Sequence, residues 1–452
     1  MGNIRKAAVA GTFYLSSKTD LITNINDLLN KAIDLPEVGK AIIAPHAGHI
    51  YSGSIAASAY RSLRKRRDKI SKVVLLGPSH YVGFMGMALS SANYYETRLG
   101  KIPLDKELSE KAQKVREVVV MDHAHLQEHS LEVHLPFLQA TLNDFTLLPL
   151  VVGDTSKESI SELLENVWGG EETLIVCSTD LSHFMDYQSA SVKDSLTAKN
   201  IVSGKFDGMD HQNACGLAPV KGLIYCAKSK KLETKLIDLR NSGDTAGDKA
   251  RVVGYATFII DEPQKIVQVF SRQEQLDLLR LARQALEEKL LEIKSSETLN
   301  IPDKKAACFV TLTQNGELRG CIGSLIAHRK LKDDIIQNTF SAAFKDPRFP
   351  PLKAFELQNI KINISVLSEP EKIKFDNEED LISQLNPGVD GIILTEGQKR
   401  GTFLPSVWEE LPTVEEFLSY LKRKAGLPID YWSDTIEIER YGTIYIKEES
   451  FD

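Results

Sequence analysis

Through about residue 260 the chain alternates short apolar runs with segments of helical spacing, and that alternation leaves few architectures open. The runs at 41–44, 73–76, 146–152, 173–178, 235–240 and 252–260 have the length and composition of strands. Between them, 53–63, 156–167, 189–202 and 217–227 carry apolar residues at helical spacing. Such alternation builds an α/β domain around a parallel sheet, here expected over residues 1–261. In a parallel sheet the loops that follow the strands converge on one crevice.

The alternation stops at Asp261-Glu262-Pro263-Gln264-Lys265, which is polar and interrupted by proline, so residues 262–270 read as a linker. From 271 to 291, Leu276, Leu279, Ala282, Leu286 and Leu290 repeat at roughly helical spacing behind Ser271 and Glu274, a capping-box arrangement. Strands are expected at 306–313, 360–367, 391–395 and 436–446, and helices at 331–345 and 414–425. That order is α+β, which makes 271–452 a second, unrelated domain. A chain of 452 residues is long enough for each domain to bury its own core.

Composition excludes several classes of function. With a net charge of -7 and 26% charged residues, no global basic field exists to attract nucleic acid. The one dense cationic run, Arg64-Lys65-Arg66-Arg67, closes a helix ahead of the strand at 73–76, where cations offset the helix dipole. No stretch approaches the ~20 apolar residues that cross a bilayer. Met1-Gly2-Asn3-Ile4-Arg5-Lys6 lacks the apolar core of a signal peptide. Five cysteines without framework spacing fit a reducing compartment. A soluble cytoplasmic protein is expected, with neither nucleic-acid nor membrane partners.

Four residues with metal-binding side chains occupy loop positions in the first domain. They are His46 in Ala44-Pro45-His46-Ala47-Gly48, His80 in Leu76-Gly77-Pro78-Ser79-His80, His183 in Ser178-Thr179-Asp180-Leu181-Ser182-His183, and Cys215 in Asn213-Ala214-Cys215-Gly216. Neutral imidazoles with a thiolate suit zinc, copper or iron, whereas magnesium and calcium take carboxylates. One such residue alone reads as an ordinary buried polar group. Four at the ends of strand-like runs point to a shared ion. Asp180, three residues before His183, is placed to orient an imidazole or to serve as a ligand. Cys215 stands where Gly216 and Leu217-Ala218-Pro219 begin a helix, whose dipole is expected to lower its thiol pKa. Cys177 and Cys226, inside apolar runs, read as buried and inert.

A second cluster runs Asp122-His123-Ala124-His125 and Glu128-His129-Ser130-Leu131-Glu132-Val133-His134. On one helix His125, Glu128, His129 and Glu132 would share a face and could chelate, with Glu128 and His129 the strongest candidates for the pocket. The alternative is a polar helix face that edges the crevice.

In order, Ala8-Val9-Ala10-Gly11-Thr12-Phe13-Tyr14, Pro45-His46-Ala47-Gly48 through Tyr51-Ser52-Gly53, Gly77-Pro78-Ser79-His80, Glu128-His129-Ser130, Ser178-Thr179-Asp180-Leu181-Ser182-His183 and Cys215-Gly216 resemble the motifs of the Memo family over residues 1–261. That family looks like class III non-haem dioxygenases of the extradiol ring-cleaving type, so the resemblance implies an α/β core. It also implies that His46, His80 and Cys215 bind iron or reduced copper directly, while Asp180 and His183 line the pocket. Two departures stand out. Extradiol enzymes complete the triad with a carboxylate where this chain has the softer Cys215. His49 stands where Memo relatives often carry an aromatic residue, which adds a nitrogen near the metal.

In the second domain Leu318-Arg319-Gly320-Cys321-Ile322-Gly323-Ser324 combines a cysteine with two glycines, which permit a tight turn or a close approach to a ligand. Arg319 offers a fork for a carboxylate or phosphate. Lys345-Asp346-Pro347-Arg348-Phe349-Pro350-Pro351-Leu352 is a proline-stiffened loop with a second arginine. With Gly401-Thr402-Phe403-Leu404-Pro405 these segments resemble the AMMECR domain over about residues 270–450. The resemblance implies a cleft holding Arg319, Gly320, Cys321, Gly323 and Arg348. The only histidine in this half is His328, so Cys321 reads as ligand-lining or structural, with a nucleophile or redox thiol as the alternative.

Memo-like and AMMECR-like proteins resemble two members of a three-part system whose third is a radical S-adenosylmethionine enzyme, an expected partner. The leading expectation is a metal-dependent redox or dioxygenase-like protein acting on an unknown small molecule or peptide. His183, assisted by Asp180, would move the proton. The rivals are a non-catalytic adaptor using the same crevice, and zinc-assisted hydrolysis with Glu128 as base.

Overall fold

The computed structural model describes residues 3–37, 39–266 and 269–448. The chain divides into two compact units, Met1–Arg272 and Gln273–Asp452. The stretch expected as a linker contains a short helix, Pro263–Ile266, and its residues 267 and 268 lie outside those described.

The first unit is built on a nine-stranded sheet. At its centre are four parallel strands in the order Ala41–Ala44, Thr173–Ser178, Lys72–Pro78 and Thr146–Val152. Nearly every residue in them is buried, so these strands are continuous apolar runs: a strand covered on both faces has no side left for water. Each fully buried Leu, Ile or Val there contributes roughly 1.5–3 kcal/mol. Val252–Asp261 joins antiparallel beside Ala41–Ala44 and also pairs with Glu233–Asn241 and His183–Met185. At the other edge Met87–Leu89 and Val118–Val120 complete the sheet.

Helices Lys157–Val167 and Leu217–Ser229 share a core with the central strands, in which Ile160, Leu163, Val220 and Leu223 join Val74, Leu76, Ile175 and Cys177. Helix Tyr187–Ser203 starts at Asp186, whose carboxylate accepts from the Ser189 N–H at 3.0 Å, and stops at Gly204 with φ 63°. The basic run follows helix His49–Leu63, as its sequence implies, and is used within the protein. Lys65 pairs with Asp34 at 3.1 Å, and Arg66 donates to the carbonyls of Gly39 and Glu171. Among the described residues no helix is long and apolar enough to cross a membrane.

The second unit is α+β, with two four-stranded antiparallel sheets. One runs Glu317–Gly323, Cys308–Gln314, Ile360–Leu367, Thr443–Lys447; the other runs Glu371–Lys372, Glu437–Tyr441, Gly391–Glu396, Lys399–Phe403. The single strand expected at 436–446 is two, because the chain leaves one sheet at Gly442 and enters the other. The turn near the cysteine motif also lies elsewhere. Asn315 and Gly316, with φ of 53° and 83°, turn the hairpin, and the motif that follows is its second strand.

Candidate metal centre

His46 follows the strand Ala41–Ala44, His80 follows Lys72–Pro78, and Asp180 follows Thr173–Ser178, so three parallel strands deliver them to one edge of the sheet. Two glycines bring in the rest. A Cβ at Gly216 would overlap the carbonyl oxygen of Ser178, so glycine lets the start of helix Leu217–Ser229 press on that strand end and deliver Cys215. A Cβ at Gly77 would stand 2.6 Å from Ser130 Oγ, so glycine lets the short helix His129–Glu132 lie against the strand and carry Glu128 and His129 to His80.

The donor atoms of His46, His80 and Cys215 lie within 4.8 Å of one another. Cys215 Sγ is 3.4 Å from His46 Nε2, and the His46 and His80 rings meet edge-on at 5.1 Å. Hydrogen bonding sets the tautomers. Ser178 Oγ has one proton, which goes to the carbonyl of Ser130 at 2.7 Å, so it accepts from both His46 Nδ1 at 2.6 Å and His134 Nε2 at 2.9 Å. Tyr60 donates to His134 Nδ1 at 2.8 Å, which closes the chain. His46 Nε2 therefore keeps its lone pair and aims it at the cysteine. His80 donates Nδ1–H to Glu128 Oε1 at 2.8 Å, which frees its Nε2 in turn. A carboxylate or hydroxyl behind each imidazole is what metal-binding histidines use to hold their rings.

Burial and the neighbouring imidazoles of His80, His129, His134 and His183 hold His46 well below its ordinary pKa, so it is neutral. Burial pushes the Glu128 carboxyl up, but the hydrogen bonds from the His80 ring and from the backbone N–H groups of His80 and Ser130 outweigh it and bring the group to about 2. For Cys215 the expectation is overturned. It does precede a helix N-terminus, yet burial and the negative charge of Asp180 push its thiol up to about 12. Desolvation outweighs the dipole, so a thiolate forms here only with a cation beside it. The residues fit a soft or borderline transition ion: two neutral nitrogens with free lone pairs and one sulfur that ionises on binding.

Other expectations need correction. Asp180 does not assist His183. Its carboxylate accepts from the backbone N–H groups of His46, at 2.8 Å, and Ala47, while the His183 ring is held by the backbone at Leu181. His183 is exposed, on the strand His183–Met185 beside Phe184. His49 brings no nitrogen to the metal group; its Nε2 meets the Val133 carbonyl at 3.0 Å and its ring packs on Tyr14 and Phe137. The single helix face of His125, Glu128, His129 and Glu132 does not exist. The segment forms two short helices, Asp122–Leu126 and His129–Glu132, with Glu128 extended between them. His125 turns to Tyr95 and the Ala88 carbonyl, and Glu132 binds Arg5, Tyr14 and the N–H groups of Ala8 and Val9. Only Glu128 and His129 reach the site.

A profile described as Memo-like protein matches residues 5–259, more than half of the sequence. The chain belongs to the Memo family. A MEMO1 family protein of Aquifex aeolicus is 37% identical over 268 residues, covering 57% of this chain and 98% of the relative. One of Ignicoccus hospitalis is 35% identical over 279 residues, covering 56% and 97%. The AMMECR1 profile matches residues 279–446. An uncharacterized protein of Pyrococcus horikoshii aligns in structure with a TM-score of 0.35 and 34% identity, over 38% of this chain and 90% of its own.

In the AMMECR1 unit the motif residues are committed to the fold. Arg319 spends its fork on Glu356 at 2.9 and 3.2 Å and on the Pro350 carbonyl at 2.9 Å. Arg348 grips Asp346 through Nε at 3.0 Å and a second nitrogen at 2.8 Å, and Asp346 in turn accepts from the Cys321 N–H at 2.9 Å. The glycines face protein atoms. A Cβ at Gly320 would overlap the Ala342 carbonyl, and one at Gly323 the Phe309 ring. Cys321 is half-buried, with its sulfur 3.2 Å from Thr311 Oγ1. In the Memo unit, Ser178 and His134 lie within the sequence motifs but their role, setting the His46 tautomer, is not legible there, because it depends on a hydroxyl and two rings far apart in the chain.

Proposed function

We propose that the Memo unit is a metal-dependent redox protein, related to extradiol dioxygenases in scaffold, in which His46, His80 and Cys215 hold iron or reduced copper. The convergence of these three donors within 4.8 Å carries the reading. A bound iron or copper ion would supply one-electron chemistry and Lewis acidity at the crevice. Cys215 would release its thiol proton to solvent on holding the ion, and Asp180, 4.0 Å from His46 Nε2, holds the loop that carries His46. His183, exposed on the strand His183–Met185, accepts a proton from a substrate at the mouth as a neutral imidazole. Zinc satisfies the same donors and would make the centre hydrolytic instead.

The substrate is a small molecule or peptide. The pairing of Memo and AMMECR1 units in one chain supports a shared process with a radical S-adenosylmethionine enzyme. Five unpaired cysteines support a reducing cytoplasm as the setting.

Anaerobic purification followed by elemental analysis tests the reading. Stoichiometric iron or copper is expected in the wild type, and its loss in both His80→Ala and Cys215→Ser. Unchanged metal content in the two variants overturns it.

A further inference from the structure

Behind His80 a buried anion lies beside a buried nitrogen that the reading above does not use. The Glu128 carboxylate is 2% exposed and meets no lysine or arginine among the described residues. Its partners are the His80 ring and the N–H groups of His80 and Ser130, at 2.7 to 2.9 Å. A buried carboxylate calls for a cation. Beside it, Nδ1 of His129 is buried without a hydrogen-bond partner and lies 3.5 Å from Glu128 Oε1. The His129 ring lies tilted 4.4 Å from that of His80 and is walled by Phe13 at 4.6 Å and Tyr81 at 5.8 Å. The donor atoms of His80, Glu128 and His129 lie within 4.8 Å of one another.

We propose that His80, Glu128 and His129 form a second cation site, which takes a divalent transition ion of borderline hardness such as zinc. It depends on the first reading only through the shared His80. Two imidazoles and a carboxylate are a harder set than His46, His80 and Cys215, so the two sites prefer different ions. His80 can be shared because an imidazole that loses its remaining N–H proton bridges two ions as an imidazolate, one nitrogen to each. Nδ1 of His80 faces Glu128, and Nε2 remains for the first site. When the second ion binds, the Nδ1 proton now donated to Glu128 leaves to solvent, and the carboxylate turns its charge to the ion. His80, with 27% of its side chain exposed, gives the path of entry.

Titration of the full-length, metal-free protein with cobalt(II) tests this. The wild type is expected to bind two equivalents, only one of them accompanied by the sulfur-to-cobalt charge-transfer band that disappears in Cys215→Ser. His129→Phe keeps an aromatic ring between Phe13 and Tyr81 but removes both nitrogens. It should bind one equivalent with the band intact. Saturation of the wild type at one equivalent, or a His129→Phe protein that binds as much cobalt as the wild type, overturns the second site. A wild type without the band removes the first site instead, so the two failures are distinct.

Discussion

Ser178 Oγ stands 2.6 Å from Nδ1 of His46, and that hydroxyl decides which nitrogen of the imidazole is free to bind a metal. It also accepts from His134, so one serine at the end of a strand orients two rings.

Ser178→Ala should therefore lower metal affinity by about 10–100-fold, as loss of a group that holds a liganding histidine does. It should also cost ~1–3 kcal/mol of stability, since His46 Nδ1 and His134 Nε2 are left buried and unpaired. Competition against a chelator and urea unfolding measure the two effects. Wild-type affinity in the variant would show that His46 is oriented by something else.

Asp180 makes the metal-free protein sensitive to pH. Burial pushes its carboxyl from 3.8 up to about 7, against the N–H groups of His46 and Ala47. An acid with a raised pKa holds its proton longer in the folded state, so ionising it costs stability. The cost is absent below about 3.8, grows with pH and is complete above about 7. Asp180→Asn keeps an oxygen for the His46 N–H and removes the charge. The variant should exceed the wild type by ~1–3 kcal/mol near about pH 8 and lose that advantage near about pH 4. An equal difference at both pH values would rule out titration of Asp180 as the cause.

Gly320→Ala should destabilise the AMMECR1 unit by about 1–3 kcal/mol or more, because the new methyl must displace the Ala342 carbonyl in helix Leu331–Phe344. Thermal unfolding should show the loss while the metal content of the chain is unchanged. A neutral substitution would mean that the strand and helix can separate, and would reopen a ligand-facing role for this glycine.

Arg319→Lys should cost ~1–2 kcal/mol, since an ammonium cannot reproduce the forked grip on Glu356 together with the bond to Pro350. If the variant unfolds at the wild-type urea concentration, the fork is free to serve a ligand after all.

The strand ends are the most legible part of the site. The apolar runs at 41–44, 73–76 and 173–178 lie within a residue or two of the observed strands, and the loops after them hold His46, His80 and Asp180. A strand buried on both faces must be apolar throughout, and the loop that ends it breaks the run visibly. The helix Lys18–Lys31, capped by Ser17 with Leu21, Ile25 and Leu29 buried on one side, was passed over because it precedes the first alternation. The segment around Glu128 was not legible. A helical face read from spacing presumes that the helix continues, and it breaks at Glu128, whose side chain bonds the Ser130 N–H and stops the preceding turn from extending.

From its sequence alone this chain determines that it has two domains of different class, where the parallel strands run, and that two histidines end adjacent loops with a cysteine at a helix start, because periodicity and turn residues act over a few positions. Tertiary structure alone decides which histidine nitrogen carries the proton, that the Cys215 thiol resists ionisation, and that Asp180 serves a backbone instead of His183. Those outcomes depend on desolvation and on hydrogen-bond partners more than a hundred residues apart, such as Ser178 with His46, and no local pattern records them.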